Sequence, residues 1–523
     1  MTQGVGRRMG GREARRQVRA SALPESLKPV WPGYESGRYL PLREHELDLI
    51  HEQVIRVLEE IGLTDAIPSC IEVMAAKGCR MTDSGRLLIP RKVLEETLEQ
   101  ASKQLTLHGQ KPEHDLDLSG SRIHFGTGGA AVHIVEAESR NYRESTVNDL
   151  YGLARLCDKL EHIHFFQRPI VCRDLDDLRE MDFNTCLASV FGTSKHVGTS
   201  FMDPLHVEES LKVLHLIAGS EEAWRARPFV SMSSCFVVPP MKFAQDACRC
   251  LEVGVYGGMP ILLLSAGQAG ATAPATIAGA VVQSVAEVLA GLVYANAIVP
   301  GAQVIFGTWP FVSDLRTGAM SGGSGEQAIL MAACAQMGRY YNLPTGIAAG
   351  MTDSKLPDAQ SGYEKGYTVT LAAHSGANLV YESAGMQASL LGCSPESYVI
   401  DNDMLGAINR TLRGIEINED TLAFDTIRQV CTEGPGHYLG HEQTLSRMQS
   451  DYLYPEVGDR ENINNWIDQG SMSIEERAAK RCREILDTHF PDHISPEIEL
   501  KIREQFPVRF EKGSTNTLNP QVA

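Results

Sequence analysis

From about residue 120 onward, one three-part pattern recurs eight times: a short β-branched or aromatic apolar run, a Gly-, Ser- or Pro-containing junction, and a helix-length amphipathic segment. The runs are RIHFGTGG from Arg122, HIHFFQRPIV from His162, SKHVGTSFM from Ser194, PFVSMSSCFV from Pro228, MPILLLSAG from Met259, AQVIFGTWP from Ala302, LPTGIAAGM from Leu343 and ANLVYESAGM from Ala377. Their starts lie 31 to 43 residues apart, room each time for a strand, a helix and two loops. Uninterrupted βα units either close on themselves or stay an open doubly wound sheet, and a count of eight selects closure. An open dinucleotide-binding sheet would place GxGxxG directly after its first strand, whereas this junction reads GTGGAAV. The expected fold is therefore α/β, a (β/α)8 TIM barrel over residues 122–392 with helical N-terminal and C-terminal additions.

Helical periodicity in REHELDLIHEQVIRVLEEIGL and RKVLEETLEQASKQL makes 36–121 a mainly helical segment. Helices are also expected in 393–523, at EDTLAFDTIRQVC, around HEQTLSRMQSDY, at SIEERAAKRCREILDTH and at PEIELKIREQF. These are too apolar to stand free, so they pack either on the barrel or on another subunit. Residues 1–35 read as a basic, flexible arm, with six arginines against one glutamate between Arg7 and Arg19. The whole chain carries a net charge of -18, which disfavours nucleic acid and anionic membrane as partners. The apolar stretch from Ile277 to Pro300 is interrupted by Gln283, Glu287 and Asn296 and reads as a buried or interfacial helix rather than a span. With no apolar segment behind the arginines, the expected location is the cytoplasm. The twelve scattered cysteines include no CxxC pair and read mostly as buried thiols.

Barrels of this kind carry function where strand C-termini open into βα loops. Those positions are Phe125 and Gly126, Phe166 to Arg168, Phe201 and Met202, Cys235 and Phe236, Ala266 to Gln268, Trp309 to Phe311, Met351 to Lys355, and Tyr381 to Ser383. Phe125, Phe166, Phe201, Phe236, Trp309, Phe311 and Tyr381 make the ring rich in aromatics, which attract quaternary ammonium groups; the competing reading is ordinary core. The turn Ser321, Gly322, Gly323, Ser324, Gly325 precedes a helix, so its backbone N–H groups suit a carboxylate or phosphate, unless it is a plain glycine-rich loop with a serine cap. Lys355, between Asp353 and Asp358, is either rim or site. Glu382 ends the eighth run amid apolar neighbours and either faces a substrate cation or pairs within the structure. His374 could meet a substrate carboxylate only if its helix end folded over the mouth. The pairs His162 and His164, and His437 and His441, lack a third ligand at zinc spacing, so no metal site is expected.

The segments GAMSGGSGEQAILMAACAQMGRYYNLP, GMTDSKLPDAQSGYEKG and GHYLGHEQTLSRMQSDYLYP, followed by DRENINNWIDQGS, resemble the trimethylamine methyltransferase (MttB) family over nearly the whole chain beyond the arm. The resemblance implies a (β/α)8 barrel that hands a methyl group from a small methylated amine to the cobalt of a separate corrinoid protein. It implies no cofactor bound by this chain itself, and a homo-oligomer. Founding members carry pyrrolysine, and similarity of the TDSKxPDxQ stretch puts the equivalent position at about Leu356, so this chain resembles the glycine betaine:corrinoid members. A quaternary nitrogen loses methyl as a neutral amine without help from a general acid, so a cage lacking an acid–base pair suffices. For a betaine, the Ser321–Gly325 turn would dock the carboxylate, with Lys355 or Arg316 assisting. Trimethylamine remains the alternative substrate, and a non-catalytic quaternary-amine binding protein the alternative class.

Overall fold

The computed structural model describes residues 28–136, 139–434 and 436–512, so most of the arm read over residues 1–35 lies outside the described residues. Each of the eight apolar runs carries a strand: β1 Arg122–Phe125, β2 Phe165–Gln167, β3 His196–Thr199, β4 Val230–Ser234, β5 Ile261–Ser265, β6 Val304–Thr308, β7 Gly346–Ala348 and β8 Leu379–Tyr381. A helix follows every strand: α1 Val147–Lys159, α2 Leu178–Gly192, α3 Pro204–Ala218, α4 Gln245–Tyr256, α5 Ile277–Ile298, α6 Gly325–Tyr340, α7 Ala359–Ser375 and α8 Pro395–Arg413. The chain is a mixed α/β protein.

Strands β2 to β6 pair in sequence as one all-parallel sheet, and β7, β8 and β1 pair in parallel as a second. Single parallel bridges, Gly126 to Phe165 and Phe306 to Thr345, join the two sheets at both seams. Strand Tyr34–Glu35 lies antiparallel on the N-terminal half of β1. Strands buried on both faces read as continuous apolar runs, as ILLLS in β5 does with every residue buried.

Helix α5 is the most apolar element, and 72% of its apolar window is buried within the chain. Its interior Glu287 is tolerated because both oxygens are bonded: Met241 N donates at 2.8 Å and Ser265 Oγ at 2.5 Å. The helix thus packs within one chain. Ten of the twelve cysteines are buried, with Cys235 and Cys431 exposed.

Helices Glu44–Arg56, Pro68–Ala76 and Arg91–Gln100 occupy the N-terminal segment, and Ile474–Thr488 and Pro496–Gln505 the C-terminal one. Between them, short helices Glu419–Leu422, Phe424–Arg428, Glu442–Arg447 and Ile463–Asp468 contain no buried residue.

Candidate functional site

Side chains alternate along each strand, so one residue in two faces the space the strands enclose. The Phe165 and Tyr381 rings meet edge to face at 4.9 Å, and Trp309 leans on Tyr381 at 5.1 Å, bringing β2, β8 and the end of β6 together through inward rings. Trp309 is fixed by its indole N–H, which donates to the Gly346 carbonyl at 3.0 Å. Glycine is required opposite these rings: a Cβ on Gly346 would lie 2.7 Å from Tyr381 Cε2, and one on Gly126 would strike the Phe165 ring.

The same alternation corrects part of the expected aromatic ring. Phe166 neighbours inward Phe165, and Phe125 neighbours inward Gly126, so both face the helices. Phe236 also points outward, against Gly291 of α5 and 6.4 Å from Phe243. Phe201 is buried in the hydrophobic core just beyond β3. Phe311 is buried in a two-residue strand, Phe311–Val312, that pairs with Gln268–Ala269. Of the expected aromatics the structure joins Trp309 and Tyr381, and it adds Phe165, one residue from the position chosen by chain order alone.

Glu382 follows Tyr381 directly. It is 1% exposed, its Oε2 has no hydrogen-bond partner, and its φ of +63° lies in the left-handed region that side chains avoid. Burial pushes its carboxyl up to about 8, against the pull of Arg168. The backbone around it is built close. Gly350 has φ +105°, and a Cβ there would lie 2.7 Å from both the Glu382 carbonyl oxygen and Ser383 Cα. A strained, buried carboxylate with an unpaired oxygen at a strand C-terminus is a candidate functional group.

Arg168, just past β2, is half-buried and donates from Nε and Nη2 to Ser200 Oγ at 3.0 and 2.8 Å. Cys235, just past β4, is reached by solvent, yet surrounding protein pushes its thiol up while Arg168 pulls the other way. Arg168 and Cys235 sat among the strand-end positions, but neither ranked as a candidate because nothing in a single sequence marks a lone cation there as unpaired.

The Ser321–Gly325 turn does hold a carboxylate, but an internal one. Asp353 accepts from Gly322 N at 2.8 Å and Ser321 Oγ at 2.7 Å, and Ser389 Oγ donates to it as well. Gly323 is crowded by Glu364, whose Oε2 accepts from Asp353 N at 2.8 Å. The expected substrate dock is therefore occupied by the protein itself, because the loop after β7 supplies the anion. Ser324 caps α6, its Oγ accepting from Gln327 N at 3.2 Å. Lys355 is exposed and donates to the Asp353 carbonyl at 2.6 Å, and Arg316 is spent on Asp314 at 2.7 Å. Leu356 lies in the same loop, its N–H bonded to Ser354 Oγ at 3.4 Å.

His374 falls at the C-terminal end of α7, opposite the strand C-termini. Its Nε2 pairs with Thr411 Oγ1 at 3.0 Å and its carbonyl accepts from Tyr39 N at 2.9 Å, so it fastens the N-terminal segment and is removed from the site. Among the described residues no group of three or more His, Cys, Asp or Glu side chains is placed to hold a metal ion.

The chain matches the family described as trimethylamine methyltransferase (MTTB) over residues 8–513, and it belongs to that family. Over 462 residues it is 30% identical to the trimethylamine methyltransferase MttB of Desulfitobacterium hafniense strain DCB-2, covering 88% of this chain and 92% of that protein. It is likewise 30% identical over 474 residues to the glycine betaine methyltransferase of D. hafniense strain Y51, covering 89% and 97%. The crystal structure of the monomethylamine methyltransferase MtmB of Methanosarcina barkeri superposes with a TM-score of 0.46 at 11% identity, covering 87% of this chain and 95% of that one.

Proposed function

We propose that this protein is a methyltransferase that takes a methyl group from a quaternary amine, glycine betaine or a related betaine, and delivers it to the cobalt of a separate corrinoid protein. The observation that carries this reading is the buried Glu382 carboxyl with a free oxygen, at the end of the strand whose last residue, Tyr381, packs against Trp309. A permanent cation placed there meets aromatic faces worth up to ~2 kcal/mol per desolvated contact and a carboxylate to neutralise it. Family membership supports the reaction class, and the twenty ordinary residues, with Leu356 at the pyrrolysine-equivalent position, support a quaternary nitrogen. The bridges at both seams support closure of the eight strands into a (β/α)8 barrel.

The chemistry asked of this chain is modest. Reduced cobalt on the partner supplies the nucleophile. The rings and Glu382 hold the cation, exclude water and turn one methyl toward the mouth. The C–N bond breaks with its electron pair left on nitrogen, so a neutral tertiary amine departs and no proton moves. The corrinoid protein, a cytoplasmic location and assembly into a homo-oligomer belong to the same proposal, the last resting on the family alone now that α5 packs within its own chain.

Trimethylamine is the second reading, and one observation favours it. A carboxyl held at about 8 carries a proton at neutral pH that a tertiary amine can take, converting itself into a cation beside a carboxylate. The deciding experiment offers glycine betaine, other betaines, choline and trimethylamine to the protein with a reduced corrinoid partner and follows cobalt methylation by absorbance. Turnover on a betaine is expected, faster than on trimethylamine. No transfer from any amine, with ligands nonetheless raising the melting temperature, would make the protein a quaternary-amine binder instead.

A further inference from the structure

We infer that Arg168 is the carboxylate anchor of this site, so that its substrate is a zwitterion carrying a fixed cation and a carboxylate a few bonds apart. The inference rests on the methylated-amine reading above and narrows it.

Three cations stand near the strand C-termini: Lys355, Arg316 and Arg168. Lys355 and Arg316 are spent as described, both at the surface, and the Ser321–Gly325 turn is filled by Asp353. Arg168 differs. Its partner is a neutral hydroxyl, and among the described residues no carboxylate stands within salt-bridge distance of it. A guanidinium offers five N–H donors in a plane, matched to the two oxygens of a carboxylate, and Ser200 engages one edge only. Holding such a cation largely out of water without an anion is unfavourable, and surrounding protein lowers its proton affinity accordingly.

Glu382 is the complementary half. Its Oε2 is buried and unpaired, and it is not bonded to Arg168. The two residues stand at neighbouring strand ends: a Cβ on Gly129 would lie 3.4 Å from Glu382 Oε2 and 3.2 Å from the carbonyl oxygen of Pro169, the residue after Arg168. Each charge influences the other's titration without contact. A guanidinium without an anion and a buried carboxyl with an unpaired oxygen that a bound cation would ionise, at neighbouring strand ends, match the two ends of a betaine. The ammonium end goes to Glu382, Trp309 and Tyr381, and the carboxylate end to the free edge of Arg168. Choline, with the same cation and a hydroxyl in place of the carboxylate, satisfies only the first half.

The test is equilibrium binding to the full chain by calorimetry, with glycine betaine and choline as probes, on wild type, Arg168→Gln and Arg168→Lys. Wild type is expected to prefer glycine betaine by at least about tenfold, the scale of one charge-assisted bidentate contact. R168Q should abolish that preference while choline affinity stays within about threefold, and R168K should restore part of it. A wild-type ratio near one overturns the inference without any variant, as does a preference that survives R168Q. Cobalt methylation is read separately. Carboxylate-dependent binding without methyl transfer sinks the catalytic reading and leaves Arg168 as the anchor, whereas transfer from glycine betaine with an unaltered ratio in R168Q sinks only the anchor.

Discussion

Burial of Glu382 makes this one carboxyl a cost to the fold that depends on pH. Its carboxyl is held at about 8 against an ordinary 4.5, so between those values the folded protein keeps a proton that the unfolded chain releases. Stability must therefore fall as pH rises from about 4.5 to about 8 and level off above, by an amount on the order of 5 kcal/mol for that span. Glu382→Gln keeps the shape without the charge. We expect its urea unfolding free energy, measured from pH 5 to 9, to lack that slope, and the variant to be more stable than wild type at the alkaline end. An identical slope in both proteins would show that the carboxyl titrates normally. Cation binding should run the other way: a quaternary ammonium favours ionised Glu382, so wild-type affinity should rise with pH through about 8 and the E382Q affinity should be lower and flat. The position of this residue was legible at the end of an apolar run. Its left-handed backbone and orphaned oxygen were not, because both arise from the closeness of Gly350 and the turn after β1, which are far away in sequence.

At the scale of elements, the turn before α6 shows how a local signal can be right about chemistry and silent about identity. Ser321 and Gly322 offer donors to an anion, and an anion is there, but it is Asp353 from the loop after β7. The bond ties two consecutive βα loops, and Ser389 ties in a third, from beyond β8. Asp353→Ala should leave the Gly322 N–H without its partner and cost about 1–3 kcal/mol in chemical denaturation. Gly350→Ala should cost at least as much, since its φ of +105° is unfavourable to any side chain and the nearest atoms are backbone. A loss below half a kcal/mol in either variant would mean that the loops relax independently. Strand alternation is the other element-scale lesson. Phe165 and Phe166 are equally aromatic, and a one-residue shift exchanges core for mouth, so choosing between them requires the neighbouring strands.

Across the molecule, stability is unevenly distributed. Helix α5 and the strands beside it are almost wholly buried, whereas the short helices between residues 415 and 470 bury almost nothing and leave Ile415, Phe424 and Ile463 at 86%, 70% and 75% exposure. Elements so short and so poorly covered open at low cost. Within residues 28–512, limited trypsin digestion of the purified protein should cut first at Arg428, Arg447 or Arg460, leaving the strands and α1 to α8 intact; early cuts within the βα loops would contradict this. The repeating strand and helix order could be read from the sequence alone, because apolar periodicity and junction residues are local properties. The anion-seeking turn and the membership of the trimethylamine methyltransferase family were legible for the same reason. Which ring faces inward, which cation lacks a partner and which carboxylate fills the glycine turn depend on side chains brought together from strands up to 257 residues apart, as between Gly126 and Ser383. Pairing and burial are set by those distant neighbours, and they left a Glu382 oxygen and Arg168 without an ionic partner while closing the Ser321 turn with Asp353.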